Sequence, residues 1–163
     1  MTAVSNSSPL IGLSGIGSLD LLHKLFGAIH IPQAVYDEVV VKGRGRPGAH
    51  EVDGAHWIIR HAVADKQAVS ELRDKSGLEQ GESEAIMLAL ELNATLIILV
   101  DRSARRRAKE LQLCVNGTLG VLVLAKEKHL LTSVKQHMDA LRLTGIYISP
   151  AVYDDVLQGA GES

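Results

Sequence analysis

The sequence predicts a single three-layer α/β/α domain with a central parallel sheet. Three observations carry that prediction. Short apolar runs alternate with segments of helical spacing along the whole chain, the pattern of strands joined by crossover helices. One run, Thr95–Val100, is apolar almost throughout, as a strand covered on both faces must be. Finally, 163 residues with 46% hydrophobic and 22% charged content fit one globular domain with a core of its own. Residues 1–158 are read as that domain and 159–163 as a frayed tail.

The elements follow in order. Residues Ala3–Asn6 read as a short strand, and Ser7-Ser8-Pro9 as a helix start with serine at the cap and proline in the first turn. Gly12, Gly15 and Gly17 are expected to break that helix, and Ser18 to start another through Leu19, Leu22 and Phe26. Ala28–Ile31 is a strand closed by Pro32, and Gln33–Val41 a helix. Lys42–Gly48, with three glycines, a proline and three basic residues, is a surface loop and the best candidate for a mobile segment. Trp57–Ile59 reads as a strand, Ala64–Arg73 as a weak helix and Glu82–Asn93 as a clear one. After Thr95–Val100, the spacing of Ala104, Ala108 and Leu111 marks a helix. Leu113–Val115 is a short strand, and Gly117–Ala125 a buried helix or a strand. Val134, Met138 and Leu141 mark a last helix, serving the core or an interface.

Composition excludes several classes. The net charge of −2 gives no global nucleic-acid signal, so any such contact must come from a local patch. Aromatics at 3% argue against a base-stacking platform. The lone Cys114 excludes an internal disulfide framework and fits a reducing, cytoplasmic location. No run approaches the ~20 apolar residues a membrane span needs, and the N-terminus does not read as a signal peptide. The seven histidines show no zinc-ligand spacing, and neither a dinucleotide fingerprint nor a phosphate-binding loop is present.

In a parallel sheet, ligands bind beyond the carboxyl ends of the strands. Asn6 ends the first strand, and Asp101 ends the strand Thr95–Val100. Two further acids fall on apolar helical faces: Glu38 with Ala34, Val35 and Val41, and Glu82 with Ile86 and Ala89. A carboxylate directed at a core is costly unless a cation or strong donors meet it. The plainer readings are that Glu82 answers the helix dipole and that Glu38 ends its helix in solvent. Together, Asn6, Glu38, Glu82 and Asp101 form an all-oxygen set suited to Mg2+ or Mn2+. Glu84 is a possible additional acid, about 200° around the helix from Glu82. Basic residues follow two of these acids: Lys42, Arg44 and Arg46 after Glu38, and Arg102, Arg105 and Arg106 after Asp101. They suit a phosphate backbone, or else form a solvated helix face.

The ordered segments Val4-Ser5-Asn6-Ser7-Ser8-Pro9-Leu10-Ile11, Ile31 through Val39, Gly81-Glu82-Ser83-Glu84-Ala85-Ile86, Asp101 through Arg105 and Gly117-Thr118-Leu119-Gly120 resemble the PIN-domain superfamily, and within it the DUF3368 family of VapC-like proteins. The resemblance implies a small α/β/α fold and a metal-dependent ribonuclease site which, in toxin members, a small antitoxin protein blocks. It places Asn6 at the first acidic position, Glu38 at the second and Glu82 at the third. It also implies RNA as substrate, single-stranded by analogy, and a homodimer. Two positions depart from the pattern. Asn6 stands where the superfamily has aspartate, and Val100 stands where relatives carry an acid, so that Asp101 must substitute from the next position. The expectation is an endoribonuclease in which Glu38, Glu82 and Asp101 are catalytic and Arg102, Arg105 and Arg106 bind RNA. The alternatives are a catalytically impaired protein that binds RNA or a partner protein, and a hydrolase of another phosphodiester such as DNA.

Overall fold

The computed structural model describes residues 1–163. Five short strands, β1 (Ala3–Ser5), β2 (Ile29–Pro32), β3 (Ile58–His61), β4 (Leu96–Ile98) and β5 (Val115–Asn116), form one sheet in the order β3-β2-β1-β4-β5. Every neighbouring pair is parallel. The chain builds outward from β1 through β2 to β3, then returns to the other side of β1 with β4 and continues to β5. The direction of growth therefore reverses between β1 and β4, which places a crevice at their carboxyl ends.

Ten helices cover the two faces: α1 (Ser7–Gly15), α2 (Asp20–Phe26), α3 (Gln33–Tyr36), α4 (Ala49–Asp53), α5 (Lys66–Ser76), α6 (Gln80–Glu91), α7 (Arg102–Glu110), α8 (Thr118–Glu127), α9 (Val134–Leu143) and α10 (Pro150–Gly159). The side-chain alternation of the strands sorts the core into two parts. Ala3, Ile29, Ile31 and Ile98 join Leu10, Leu22, Leu122 and Met138 on the face covered by α1, α2, α8 and α9. Val4, Ile97 and Leu99 join Leu72, Ile86, Leu88 and Ala104 on the face covered by α5, α6 and α7. The expected three-layer architecture is what forms.

The differences in detail have physical causes. The helix from Ser7 runs through Gly12, because that glycine lets Ile146 and Leu141 approach, and ends only at Gly15, two residues before the left-handed Gly17. The helix expected over Gln33–Val41 is α-helical only to Tyr36. Residues Asp37–Val41 continue as a π-helix, closed by Lys42 N–H donating to the Asp37 carbonyl. Gly43 follows it where a Cβ would run into the Val39 carbonyl oxygen. The loop that follows leads into α4, a short helix unmarked in the sequence reading. Strand β4 stops at Ile98, two residues before Val100. The apolar residues of α9, Val134, Met138 and Leu141, are consumed by the core, and only Leu143 stands out at 90% exposure.

The C-terminal segment also differs. Helix α10, capped by the Ser149 side chain with Pro150 in its first turn, was not anticipated. In the stretch 159–163, expected to fray, the Glu162 carboxylate accepts from Lys126 Nζ at 2.9 Å, Ser133 Oγ at 3.2 Å, Val134 N–H at 2.8 Å and Lys135 N–H at 3.2 Å. It thereby caps α9 from outside its own sequence. Burial pushes this carboxyl up, but the donors of Lys126, Val134 and Lys135 outweigh it and hold the pKa at about 2. No helix of the chain is long and apolar enough to cross a membrane.

Candidate active site

Asn6 directly follows β1, and its backbone N–H donates to the Ile98 carbonyl at 3.1 Å, which ties the end of β1 to the end of β4. By strand alternation its side chain lies on the same face as Val4, the face that α6 covers. Asn6 is 6% exposed, and its amide makes no hydrogen bond to any other side chain or backbone group. Neither atom of the amide is sealed from solvent, so its oxygen is open to water or a ligand in the crevice.

What stands beside it is the first turn of α6. A Cβ placed on Gly81 would lie 3.4 Å from Asn6 Oδ1 and 3.4 Å from Glu38 Oε2. The two oxygens therefore lie no more than twice that distance apart, with a glycine leaving the space between them open. Glu38 reaches this position from the π-helix. The wider turn breaks the 3.6-residue periodicity on which the core-facing assignment of Glu38 rested. Glu38 is exposed, not directed at the core, and only its carboxylate tip leans toward the crevice.

Glu82 stands next in the same turn of α6 and is half-buried. Its Oε1 accepts the Glu79 N–H at 3.0 Å, closing a capping box. Burial raises the Glu82 carboxyl above its ordinary range. The Glu79 N–H opposes this, while the negative charges of Asp101, Glu79 and Glu38 push it further up. Those charges are felt because the acids crowd the same end of the sheet. Asp101 caps α7: its Oδ2 accepts the Ala104 N–H at 2.9 Å, leaving Oδ1 free of the helix. Because β4 has ended, Asp101 is not bound to the alternation that sends Val100 to the opposite side.

Glu84 does not join this group. Its Oε1 accepts the Ala34 N–H at 3.1 Å and its Oε2 the Gln80 amide at 2.5 Å, so it fastens α6 to the start of α3. No three His, Cys, Asp or Glu side chains stand close enough together to form a ready-made metal cluster. The set that does gather fits a hard cation in kind: an amide oxygen with no protein partner beside a carboxylate oxygen, and a carboxyl whose pKa is raised by burial and by neighbours of like charge.

The basic residues lie on the other side of Asp101. Arg102, Arg105 and Arg106 border a groove of about 1260 Å3 between α7, the start of α8 and α10, with Val100 in its lining. Arg105 Nη1 donates to the Leu99 carbonyl at 3.2 Å, which anchors it at the end of β4. Lys42, Arg44 and Arg46, on the turn after the π-helix, do not border this groove.

Two residues escaped the sequence reading. Asn116 ends β5 as Asn6 ends β1, and its Oδ1 accepts the Gly117 N–H at 3.0 Å where the groove begins. The strand-end rule that finds Asn6 also finds Asn116 once β5 is extended by one residue. Gly81 carries its signal in being a glycine within the first turn of a long helix, where only a close approach justifies the lost propensity.

Comparisons with known proteins agree with this fold. The sequence model of the DUF3368 family, described as a PIN domain, matches residues 2–162. Among solved structures, the chain is similar to a PilT N-terminus domain protein from the hyperthermophilic archaeon Sulfolobus solfataricus P2. The two share 26% identity and a TM-score of 0.57, over 77% of this chain and 93% of that one. No curated protein matches the chain. A parallel sheet of order β3-β2-β1-β4-β5, acids gathered at its switch point and a family match over almost every residue lead to one statement: the chain belongs to the DUF3368 family of PIN domains.

Proposed function

We propose that this protein is a metal-dependent endoribonuclease acting on single-stranded RNA, of the kind that serves as the toxin of a toxin–antitoxin pair. PIN domains are generally nucleases that use divalent metal ions. The observation that carries the reading is the placement of Asn6 Oδ1 and Glu38 Oε2 about the Gly81 backbone, beside the charge-crowded Glu82 and Asp101. Asn6, Glu38, Glu82 and Asp101 would hold Mg2+ or Mn2+, which at such a site supplies an activated water and offsets charge developing on the phosphate. In the reaction, the water oxygen bonds to phosphorus and one phosphorus–oxygen ester bond breaks. The leaving oxygen ends protonated.

The chain's own side chains do the rest. Glu38 and Asp101 bring carboxyl groups to the crevice from the π-helix and from the cap of α7. Arg102 and Arg106 lie one and five residues after Asp101 and meet the backbone phosphates that flank the scissile bond. Gly81 keeps the approach clear. Single-stranded substrate follows from the family analogy, not from a residue.

A second reading has its own support. Asn6 brings no charge where an acid is expected, and the carboxylates do not form a closed cluster. Both features suit a catalytically impaired protein that binds RNA or a partner protein. The deciding experiment is incubation of a mixed pool of single-stranded RNA and DNA with purified protein in Mn2+, in Mg2+ and in chelator, beside Glu38→Gln. Cleavage of RNA that needs metal and disappears in the variant supports the enzyme. Folded protein that binds RNA without cutting it in any metal supports the second reading, and preferential cutting of DNA changes the substrate.

A further inference from the structure

Surface apolarity in this protein is concentrated at one place. Of the ten large apolar side chains the chain exposes, five border the groove beside α7: Ile11 at 37%, Val100 at 48%, Ile146 at 38%, Tyr147 at 82% and Val152 at 45%. A contiguous patch of this kind, rimmed by polar residues, marks a site of interaction. The volume of about 1260 Å3 exceeds the ~1000 Å3 upper range of small-molecule pockets, which points to a larger occupant.

The opposite wall is cationic and regular. Arg102, Arg105, Arg106 and Lys109 stand at i, i+3, i+4 and i+7, so they form one stripe along α7, about 10 Å long. None takes part in an ion pair within the chain, whose salt bridges are Asp20–Lys24, Arg107–Glu110 and Lys126–Glu162. Glu110, the one acid on the wall, is thus already matched by Arg107.

The occupant must therefore bring aliphatic surface and negative charge side by side. A nucleic-acid strand brings the charge, but its bases bury best on aromatic rings, and the groove has one, Tyr147, at its lip. An amphipathic protein helix with carboxylates at the spacing of the cationic stripe and an adjacent aliphatic stripe meets both walls. We infer that this groove docks an acidic amphipathic helix of a partner protein. The inference shares Arg102, Arg105 and Arg106 with the nuclease reading but uses neither the metal nor the carboxylates of the crevice, so loss of cleavage in Glu38→Gln and loss of peptide binding in Val152→Asp are read separately.

The test uses full-length protein in chelator, so that no cleavage interferes. The probe is a fluorescent helix-forming peptide with Leu and Ile along one stripe and Glu at i, i+3, i+4 and i+7 beside it. Anisotropy is expected to give micromolar binding that weakens with salt. Lys109→Glu and Val152→Asp, both at exposed positions, are each expected to weaken it about tenfold, and Glu38→Gln to leave it unchanged. A peptide with Lys in place of every Glu is expected not to bind. Failure of the acidic peptide to bind, equal binding of the Lys peptide, or indifference to both groove substitutions overturns the inference. So does a single-stranded RNA of similar length that binds more tightly than the peptide and is lost in Val152→Asp, because the groove is then a strand channel.

Discussion

Replacing Glu162 by glutamine should destabilise the protein in a way that depends on pH. The carboxylate accepts from two N–H groups at the start of α9, from Ser133 Oγ and from Lys126, and its side chain is 15% exposed. Glutamine keeps one carbonyl oxygen but loses the charge and the second acceptor. Lowering a carboxyl from 4.5 to about 2 is linked to at most about 3.4 kcal/mol, at 1.36 kcal/mol per unit. Solvent beside Lys126 screens that value, and loss of a helix cap costs ~0.5–2 kcal/mol. The expected loss at pH 7 is therefore about 1.5 kcal/mol, or roughly 3–6 °C in Tm for a chain of this size. The sign follows from linkage. The folded-state pKa is depressed, so the stabilisation is fully present above pH 4.5 and is lost as pH falls toward about 2. Urea unfolding of both proteins between pH 7 and pH 3 measures this. Equal stabilities at pH 7, or a difference that does not shrink on acidification, would refute the reasoning.

Three further outcomes are expected. Because burial and the charges of Asp101, Glu79 and Glu38 raise the Glu82 carboxyl, ionised Glu82 costs stability. In chelator, wild type should lose stability relative to Glu82→Gln as pH rises through the folded-state pKa, whereas saturating Mn2+ should favour wild type; thermal melts that rank the pair identically in both conditions would contradict this. Asn6→Asp adds a buried charge to the same crowd, so it should lower Tm in chelator and tighten Mn2+ binding by about tenfold, as titration calorimetry can read. Gly43→Ala puts a Cβ against the Val39 carbonyl and should cost about 1–3 kcal/mol, whereas Gly159→Ala, whose Cβ meets nothing at an ordinary φ, should cost less; equal unfolding midpoints for the two would argue against a tight π-turn.

The sequence made the architecture and the ends of the central strands legible for a simple reason. Buried parallel strands are apolar on both faces, so the first polar residue after each marks the rim. That rule reached Asn6 and Asp101 directly, and it applies equally to Asn116, missed because β5 runs one residue further than its apolar run. Glu38 lies in the site although it does not share the apolar face that a regular helix would give it. Helical-face reasoning assumes 3.6 residues per turn, and a π-helix is invisible to it, although Gly43 was in plain view. Glu82 was legible both as a helix-start residue and as a site residue, and its geometry serves both. Helix α10 carried a readable Ser149-Pro150 cap, the same signal that located α1. The partnership between Glu162 and α9 was not readable, since nothing local ties residue 162 to residue 134.

The sheet order has a consequence for how the protein comes into being. Asp101 comes to the same end of the sheet as Asn6, Glu38 and Glu82 only because β4 inserts beside β1, across more than ninety residues of intervening chain. A chain emerging from the ribosome exposes Asn6 and Glu38 long before Asp101 exists, and β1 has no partner on that side until Leu96–Ile98 arrive. Closing so long a loop is entropically slow, and contacts of this separation form late. Hydrolytic capability would then switch on near the end of synthesis, in one step and not by degrees, and no N-terminal fragment left by an interrupted ribosome would carry it.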